Sequence, residues 1–321
     1  MNAFKPYIKK LLFGINLSQE YLCVGKEDVL HPLKVFVTGS SFAENVSKQH
    51  LFLGYKPVII GIPVQKNSAL YSMISSSKLV SLLFCEQESA TNPVAELELQ
   101  FVHQKEFGEL SLFLFTGVKG KHSFLSGIHQ LTNTVQELLS KKNENNISLK
   151  GNLYDQVRIA YAFPRVISIV TLGNAQLFNM FPTDLNGRID GEHYVISLRR
   201  DGKVNQQVTE FKKICLSSVM SSFCKDAYRM GKNHMQSLKP LEEFKISSEK
   251  SDHFGLPLPS EAFAYKELEL TNSIDVGIHR LHFFKIIYEK ILHAGSTLAH
   301  VHRFYAAWEM KQGRKTHYLI H

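Results

Sequence analysis

Short apolar runs with period-two alternation, separated by polar turns, fill most of the chain. The clearest runs lie at 57–64, 78–84, 94–101, 110–114, 166–171, 193–198, 262–270 and 281–287. Alternation of this period predicts antiparallel sheet, and sheets of this size usually curl into sandwiches or barrels. The pattern therefore predicts a mainly β fold, a β-barrel with a few helices.

The strand pattern of the first half recurs in the second half. Thr38 ends one apolar run and matches Thr171, at an offset of 133 residues. Lys78 begins another and matches Lys213, at an offset of 135 residues. The tetrapeptide ELEL at 96–99 recurs 171 residues later, so the second copy carries about 35 extra residues, at roughly 220–260. We interpret the chain as two units, 1–148 (shortened) and 149–321, joined in the polar segment 141–152.

Composition places the chain among ordinary globular proteins, with 44% hydrophobic and 21% charged residues. The apolar runs are far shorter than the ~18 residues of a membrane span, and the N-terminus lacks a long apolar signal core, so we expect a cytoplasmic protein without a membrane partner. The four cysteines show no CxxC spacing and are interpreted as buried free thiols.

A formal net charge of +8 invites a nucleic-acid hypothesis. The basic residues are scattered, however, and no RNP-like strand or zinc spacing accompanies them, so a basic nucleic-acid-binding protein is kept only as an alternative. The histidines at 300 and 302, with His293 nearby, lack a further ligand, and we predict no metal. The chain also lacks a Walker loop, a GxGxxG fingerprint after a strand and a GxSxG elbow.

Four short segments of the second half carry the candidate chemistry. They read PRVISIVT at 164–171, NMFPTD at 179–184, ISLRRDGKVN at 196–205 and VGIHRL at 276–281. In this order and spacing they resemble the flavin reductase-like family, whose fold is an FMN-binding split β-barrel. The resemblance covers 155–290 well and 30–120 weakly, and it implies tandem split barrels packed as an internal pseudo-dimer.

The resemblance implies a set of cofactor-binding residues: Asn179, Met180, Phe181, Thr183, Ser197, Arg199, Arg200, Lys203 and Asn205. The first four would line the flavin, and the rest would supply hydroxyl groups and charge near its phosphate. Such a phosphate needs several donors and one or two cations, which Arg can provide in bidentate fashion. In the same resemblance, His279 is the catalytic residue that helps to place the nicotinamide donor.

The first half departs from this pattern. It reads FGE at 107–109, without a histidine, and QKNS at 65–68 where the second half has its arginines. We therefore expect one intact site, with the other half as its missing wall. The predicted function is an FMN-binding flavin reductase-like oxidoreductase that passes hydride from NAD(P)H to flavin and on to an unknown acceptor. A non-catalytic flavin-binding or structural member of the fold is the alternative, and a further homodimer is left open.

Overall fold

The computed structural model of the protein describes residues 20–39, 42–126, 149 and 151–319. Strands account for 51% of it and helices for 20%, which confirms the predicted mainly β class. Most of the predicted linker at 141–152 lies outside the described residues. Within the described ranges, no helix combines the length and the apolar character needed to cross a membrane.

The described residues of the first half form eight strands and one α-helix. They are β1 (Tyr21–Gly25), β2 (Lys34–Gly39), β3 (Phe42–Asn45), β4 (Leu51–Tyr55), β5 (Val58–Gln65), α1 (Ala69–Ser76), β6 (Leu79–Cys85), β7 (Ala95–Phe107) and β8 (Leu110–His122). A short 3-10 helix, Lys26–Asp28, follows β1.

The second half is longer and holds the remaining elements. They are α2 (Asn152–Ala160), β9 (Arg165–Val166), β10 (Ser168–Gly173), β11 (Leu177–Thr183), β12 (Asn186–Arg188), β13 (His193–Arg199), α3 (Lys203–Phe211), β14 (Lys213–Val219), α4 (Cys224–Met230), β15 (Lys239–Pro240), β16 (Ile246–Lys250), β17 (Pro257–Pro259), β18 (Ala262–Val276), β19 (His279–Ile291), β20 (Leu298–His302), α5 (Arg303–Lys311) and β21 (Tyr318–Leu319). Three 3-10 helices lie at Ser221–Phe223, Gly231–Met235 and Leu241–Glu243.

Seven strands of each half form a sheet with the same strand order. The first sheet runs β3-β2-β6-β7-β8-β5-β4, and the second runs β11-β10-β14-β18-β19-β13-β12, with β15 added beside β11. Helix α1 connects β5 to β6, and α3 makes the same connection from β13 to β14. The long hairpins β7–β8 and β18–β19 both turn at a glycine of positive φ, Gly108 (55°) and Gly277 (57°).

The long hairpins also show which residues correspond. The register of each hairpin shifts twice, and the shifts fall at Glu98/Leu99 and Phe101/His103 in one and at Glu267/Leu268 and Leu270/Asn272 in the other. Every corresponding pair is 169 residues apart, as are the two turn glycines. The sequence match of the two ELEL segments is therefore wrong by two residues, because Glu98 rather than Glu96 corresponds to Glu267.

The extra segment of the second half spans 220–261, between β14 and β18, where the first half has only 86–94 between β6 and β7. It begins and ends close to the predicted 220–260. It contains α4, three short 3-10 helices and the strands β15 to β17. We call this segment the insertion.

The elements at the two ends of the chain do not follow the predicted division at 148/149. Strand β1 pairs with β20 and β21 from the end of the chain, and β20 also pairs with β9. Phe304 and Tyr305 of α5 belong to the same buried cluster as Val35 and Phe113 of the first sheet. The first sheet therefore shares its core with helices and strands of the second half.

The two sheets pack against each other through a small apolar cluster. Its buried members are Leu51, Leu53, Ile59, Phe107, Leu112, Leu114, Ile189, Val195, Leu281 and Phe283. Leu112 and Leu281 correspond at the 169-residue offset, as do Leu114 and Phe283, so equivalent strands face each other across the contact. Removal of this apolar surface from water holds the two sheets together. A cavity lies beside this contact.

Candidate functional site

The cavity has a volume of about 280 Å³ and receives residues from both halves of the chain. It is lined by Tyr55, Pro182, Thr183, Asp184, Leu185, Ser197, Leu198, Arg199, Gly202, Val204, Gly231, His234, Met235 and His279. Four of the predicted site residues meet here, namely Thr183, Ser197, Arg199 and His279. They come from the ends of β11, β13 and β19, so the fold brings the end of β19 to the same cavity as two strands from much earlier in the sequence.

His279 joins the two halves at the cavity. The backbone N–H of Tyr55 donates to His279 Nε2 at 3.2 Å, and Nδ1 lies 3.4 Å from Ser197 Oγ. Because Nε2 accepts, Nδ1 carries the proton of the neutral ring and donates to the serine. The ring is fully buried, and burial together with the nearby Arg199 charge lowers the pKa of His279 to about 4. His279 is therefore neutral at pH 7.

The position of His279 depends on a close approach of backbone at the hairpin turn. A Cβ on Gly277 would lie 2.3 Å from Pro57 Cδ and 2.6 Å from the Lys56 carbonyl oxygen. That carbonyl accepts a hydrogen bond from the Ile278 N–H at 3.2 Å. Only glycine allows the positive φ and this contact together, and the contact presses the β4–β5 turn of the first half onto the residue before His279.

The turn between β13 and α3 carries the cationic side of the cavity. Arg199 Nε donates to Asp201 Oδ1 at 3.0 Å, and its NH2 group pairs with Asp201 Oδ2. Burial alone would lower the pKa of Arg199, but the Asp201 carboxylate and the Tyr55 hydroxyl raise it. Gly202 begins α3 as its N-cap without a side-chain cap. The N-terminal end of the helix therefore adds partial positive charge beside Arg199.

Two open clefts adjoin the cavity at this turn. One, of about 630 Å³, is lined by Lys56, Arg199, Arg200, Asp201, Gly277, Ile278 and Arg280. The other, of about 700 Å³, is lined by Arg200, Asp201, Gly202, Lys203, Asn205, Gln206, Thr209, Glu210 and Arg280. The cavity shares Arg199 with the first cleft and Gly202 with the second. All three therefore meet at one short basic segment.

The remaining predicted residues of the basic turn lie in the clefts rather than in the enclosed cavity. Arg200 reaches the Gly277 carbonyl and the Asp275 carboxylate, and Lys203 Nζ lies 3.3 Å from Ser237 Oγ. Asn205 is buried: its amide donates to the Arg199 carbonyl, and its Oδ1 accepts from His282 Nε2 at 2.7 Å. Asn205 therefore holds the turn in place instead of presenting its amide to the cavity.

Three predicted flavin-lining side chains point away from the cavity. Asn179 is buried and donates to Gln207 Oε1 and the Asn233 carbonyl. Met180 and Phe181 are fully buried in two different apolar clusters. The physical reason is that the insertion and α3 cover β11 on both faces, so its alternating side chains all enter packed interiors.

Sequence reasoning missed several residues of the cavity. Tyr55 comes from the first half, and Gly231, His234 and Met235 come from the insertion. Asp184 was quoted within a motif but was not assigned a role. No local pattern marks these positions, because each contributes through contact with a distant segment. The one signal in the sequence was the length of the insertion, because an extra segment next to a site can cover part of that site.

The histidine His302 and the four cysteines lie away from the cavity and are buried. His302 is buried and caps α5 by accepting from the Phe304 N–H at 3.1 Å. The cysteines at 23, 85, 215 and 224 are free and buried, as predicted. Among the described residues, no group of three or more His, Cys, Asp or Glu side chains is arranged to hold a metal ion.

Comparison with known proteins yields only structural likenesses. No family model and no curated protein matches the chain. BorF, the flavin reductase component of a bacterial two-component tryptophan halogenase, matches with a TM-score of 0.42 and 14% identity over 52% of this chain and 98% of that one. The NADH:FAD oxidoreductase SgcE6 of Streptomyces globisporus C-1027 gives 0.39 and 15% over 46% and 88%.

An FMN-binding protein from Thermus thermophilus matches with a TM-score of 0.36 and 16% identity over 48% of this chain and 81% of that one. Each of the three structures therefore corresponds to about half of this chain. With TM-scores below 0.5, these likenesses do not establish a shared fold.

Proposed function

We propose that the protein binds FMN at the cavity between its two sheets and transfers hydride from NAD(P)H to the flavin, and from there to an acceptor. One observation carries this proposal. Thr183, Ser197, Arg199 and His279 were selected from three separate motifs, and the fold places all four on one cavity. These four side chains supply two hydroxyl groups, a cation and an imidazole to the same cavity wall.

The donor groups of the site suit a phosphorylated, polar ligand. Arg199 and the N-terminal end of α3 offer positive charge, and the hydroxyl groups of Thr183 and Ser197 offer hydrogen bonds. The enclosed volume of about 280 Å³ is at the lower limit of the roughly 300–1,000 Å³ usual for ligand sites. A flavin nucleotide would therefore occupy the enclosed cavity together with one of the clefts that meet it at Arg199.

In this proposal the residues of the chain bind and orient, and FMN supplies the hydride chemistry when it is bound. Arg199, with Lys203 and Arg200 in the adjoining clefts, attracts the phosphate. Neutral His279 holds the Tyr55 peptide and Ser197 in place through its two ring nitrogens. Its buried ring contacts the cavity by its surface only, so it would act on the nicotinamide donor by shape and not by proton transfer.

The test of the site is titration with FMN, followed by flavin fluorescence. Arg199→Ala removes the cation and should weaken binding about tenfold or more, the value of one charge-assisted hydrogen bond. Asp201→Asn releases Arg199 from its ion pair and should strengthen binding. Gln65→Ala changes the equivalent position of the first half and should leave the affinity unchanged. Equal affinity in the native chain and Arg199→Ala would remove the phosphate assignment.

A flavin-binding protein without turnover is the second candidate. The observation that favours it is the complete burial of His279, whose nitrogens are both engaged within the protein. Anaerobic addition of NADH or NADPH to the FMN-loaded protein separates the two. Loss of the flavin absorbance after this addition supports the reductase. A persistent yellow colour supports a protein that binds flavin without turnover.

We further propose that the two halves arose by duplication of one split-barrel unit and now form an internal pseudo-dimer. The shared strand order and the common 169-residue offset of bulges and turn glycines support this. Association of two chains and a cytoplasmic localisation remain predictions. Size-exclusion chromatography with light scattering, at several protein concentrations, measures the first of these directly.

A further inference from the structure

A chain of polar side chains leads from the cavity towards the surface. Asp184 follows β11 and lines the cavity. Its Oδ2 lies 2.8 Å from His300 Nδ1, and His300 Nε2 lies 2.9 Å from the hydroxyl of Tyr228. Tyr228 belongs to α4 of the insertion and is 41% exposed. Two hydrogen bonds thus connect the cavity wall with a side chain that reaches water.

The donors and acceptors of this chain follow from the charge of Asp184. Burial would raise the pKa of Asp184, but hydrogen bonds from His300 and Tyr161 hold it below its usual value, so the group is a carboxylate. A carboxylate only accepts, so when the His300 ring is neutral its proton lies on Nδ1. Nε2 then accepts from Tyr228, whose pKa is raised by burial and whose hydroxyl is protonated.

The surroundings keep the chain in place. His300 is half-buried in β20, where its neighbours across the strands are Cys23 of β1 and Arg165 of β9. The rings of Tyr21 and Tyr161 also lie near its imidazole, at centroid distances of 6.4 and 6.3 Å. Tyr161 donates to the same Asp184 oxygen at 2.8 Å, but it is buried. Of the two tyrosines bonded to the Asp184–His300 pair, only Tyr228 reaches the surface.

We propose that Asp184, His300 and Tyr228 form a proton relay between the cavity and the solvent. In one passage, water gives a proton to Tyr228 Oη, the tyrosine gives its own to His300 Nε2, and His300 Nδ1 gives its proton to Asp184 Oδ2. Asp184 then delivers a proton to a group in the cavity, which leaves the His300 proton on Nε2, and a later passage in the opposite direction returns it to Nδ1. No electron moves, and the relay works equally in the opposite direction.

The relay depends on these hydrogen bonds and not on the identity of the ligand. Its use in hydride chemistry, where charge gained in the cavity is balanced by a proton, rests on the proposed function. The two therefore fail separately: a protein that does not bind FMN can still exchange protons through this chain, and a flavin site can exist with the chain closed.

The test uses the ligand-free protein labelled with ¹⁵N-histidine. Nuclear magnetic resonance reports the tautomer of His300 and the rate at which its Nδ1 proton exchanges with water. We expect the Nδ1–H tautomer in the native protein. Tyr228→Phe removes only the hydroxyl and should slow the exchange about a hundredfold, the lower end of what a positioned acid–base group contributes. Added imidazole, which can carry protons to the ring, should restore part of the rate.

Tyr161→Phe is the matched control, because it removes the other tyrosine hydroxyl bonded to Asp184 while leaving the path to water complete. Its exchange rate should equal that of the native protein. An unchanged rate in Tyr228→Phe, or equal slowing in both variants, would overturn the relay and leave a structural hydrogen-bond network. Native dispersion of the remaining histidine signals shows that each variant is folded.

Discussion

The two sheets of this protein have the same strand order, but they carry different side chains at equivalent positions near the β13–α3 turn. Arg199 pairs with His279 where Gln65 pairs with Leu110, and Ser197 stands where the first sheet has Pro63. The backbone is alike even at the turn, since the Arg200 N–H donates to the Ile278 carbonyl as the Lys66 N–H does to Glu109. At these positions the two sheets therefore differ in side chains and not in backbone, and the four predicted residues that line the cavity all belong to the second sheet.

The residues that pack behind the β13–α3 turn, and those behind the equivalent β5–α1 turn, show the same contrast. In the second half, Asn205 accepts from His282 at 2.7 Å. The corresponding residues of the first half are Tyr71 and Phe113, whose rings meet edge to face at 5.3 Å. One fold thus supports an apolar pair in one copy and a polar pair in the other. A buried polar pair is tolerated when it is fully hydrogen-bonded, and both ring nitrogens of His282 have partners here, Asn205 and Ser273.

Acidification should reveal this contrast most strongly. Burial lowers the pKa of both His279 and His282 to about 4, below the ordinary value of 6.5. As the pH falls from 6.5 to 4, the unfolded chain binds protons that the native protein does not, so each histidine costs about 3 kcal/mol of stability over that range. The stability is fully present above pH 6.5.

Substitution of the first-half residues, His279→Leu and His282→Phe, should flatten this dependence. Urea unfolding at pH 7, 6, 5 and 4 measures the slope, and each substitution should reduce it by about 1.4 kcal/mol per pH unit. The value at pH 7 serves as the baseline for lost hydrogen bonds. A variant with the native slope would show that these rings titrate normally in the folded protein.

The two turn glycines should differ next most. Both Gly108 and Gly277 have positive φ, so alanine at either costs about 1–2 kcal/mol in strain. Around Gly108 a new Cβ would meet nothing within 4 Å, whereas at Gly277 it meets Pro57. We expect Gly277→Ala to cost a further 1–3 kcal/mol from overpacking. Chemical denaturation of both variants checks this, and equal losses would mean that the turns are not pressed together.

The polar pair behind the turn should give the smallest effect. Asn205→Ala leaves His282 Nε2–H without its acceptor and should cost about 1–3 kcal/mol in the free energy of unfolding. Tyr71→Phe, at the equivalent position, keeps the ring contact with Phe113 and should cost less than about 1 kcal/mol. If the two variants are equally stable, the Asn205–His282 hydrogen bond is replaced by water and does not fix the turn.

The sequence predicted the parts of the molecule that depend on local pattern. Period-two alternation revealed the strands, and the length of the insertion followed from the changing offset between the halves. The ELEL segments misled by two residues because alternating strands match themselves at every even shift. The β-bulges fix the offset between corresponding residues at 169, and they are visible only in the strand pairing of the folded protein.

The site was predictable only where a motif and its neighbours stay close in the chain. The resemblance selected Arg199 and Ser197 from a strand end and a turn next to a glycine, and both line the cavity. Met180 and Phe181 were misplaced because the motif did not show that the insertion covers β11. Tyr55 and Asp184 were missed because each depends on contact with a distant segment, Tyr55 with His279 and Asp184 with His300, which no single-sequence pattern encodes.

The contact of Lys56 and Pro57 with Gly277 has a practical consequence for the expression of either half as a separate fragment. A fragment that began at residue 149 would keep the arginine turn, yet it would expose the His279 ring to water and lose the peptide N–H that holds it. Neither half is thus an autonomous module. Chimeras that exchange halves between related chains would have to keep the β4–β5 turn and the β18–β19 turn as a matched set.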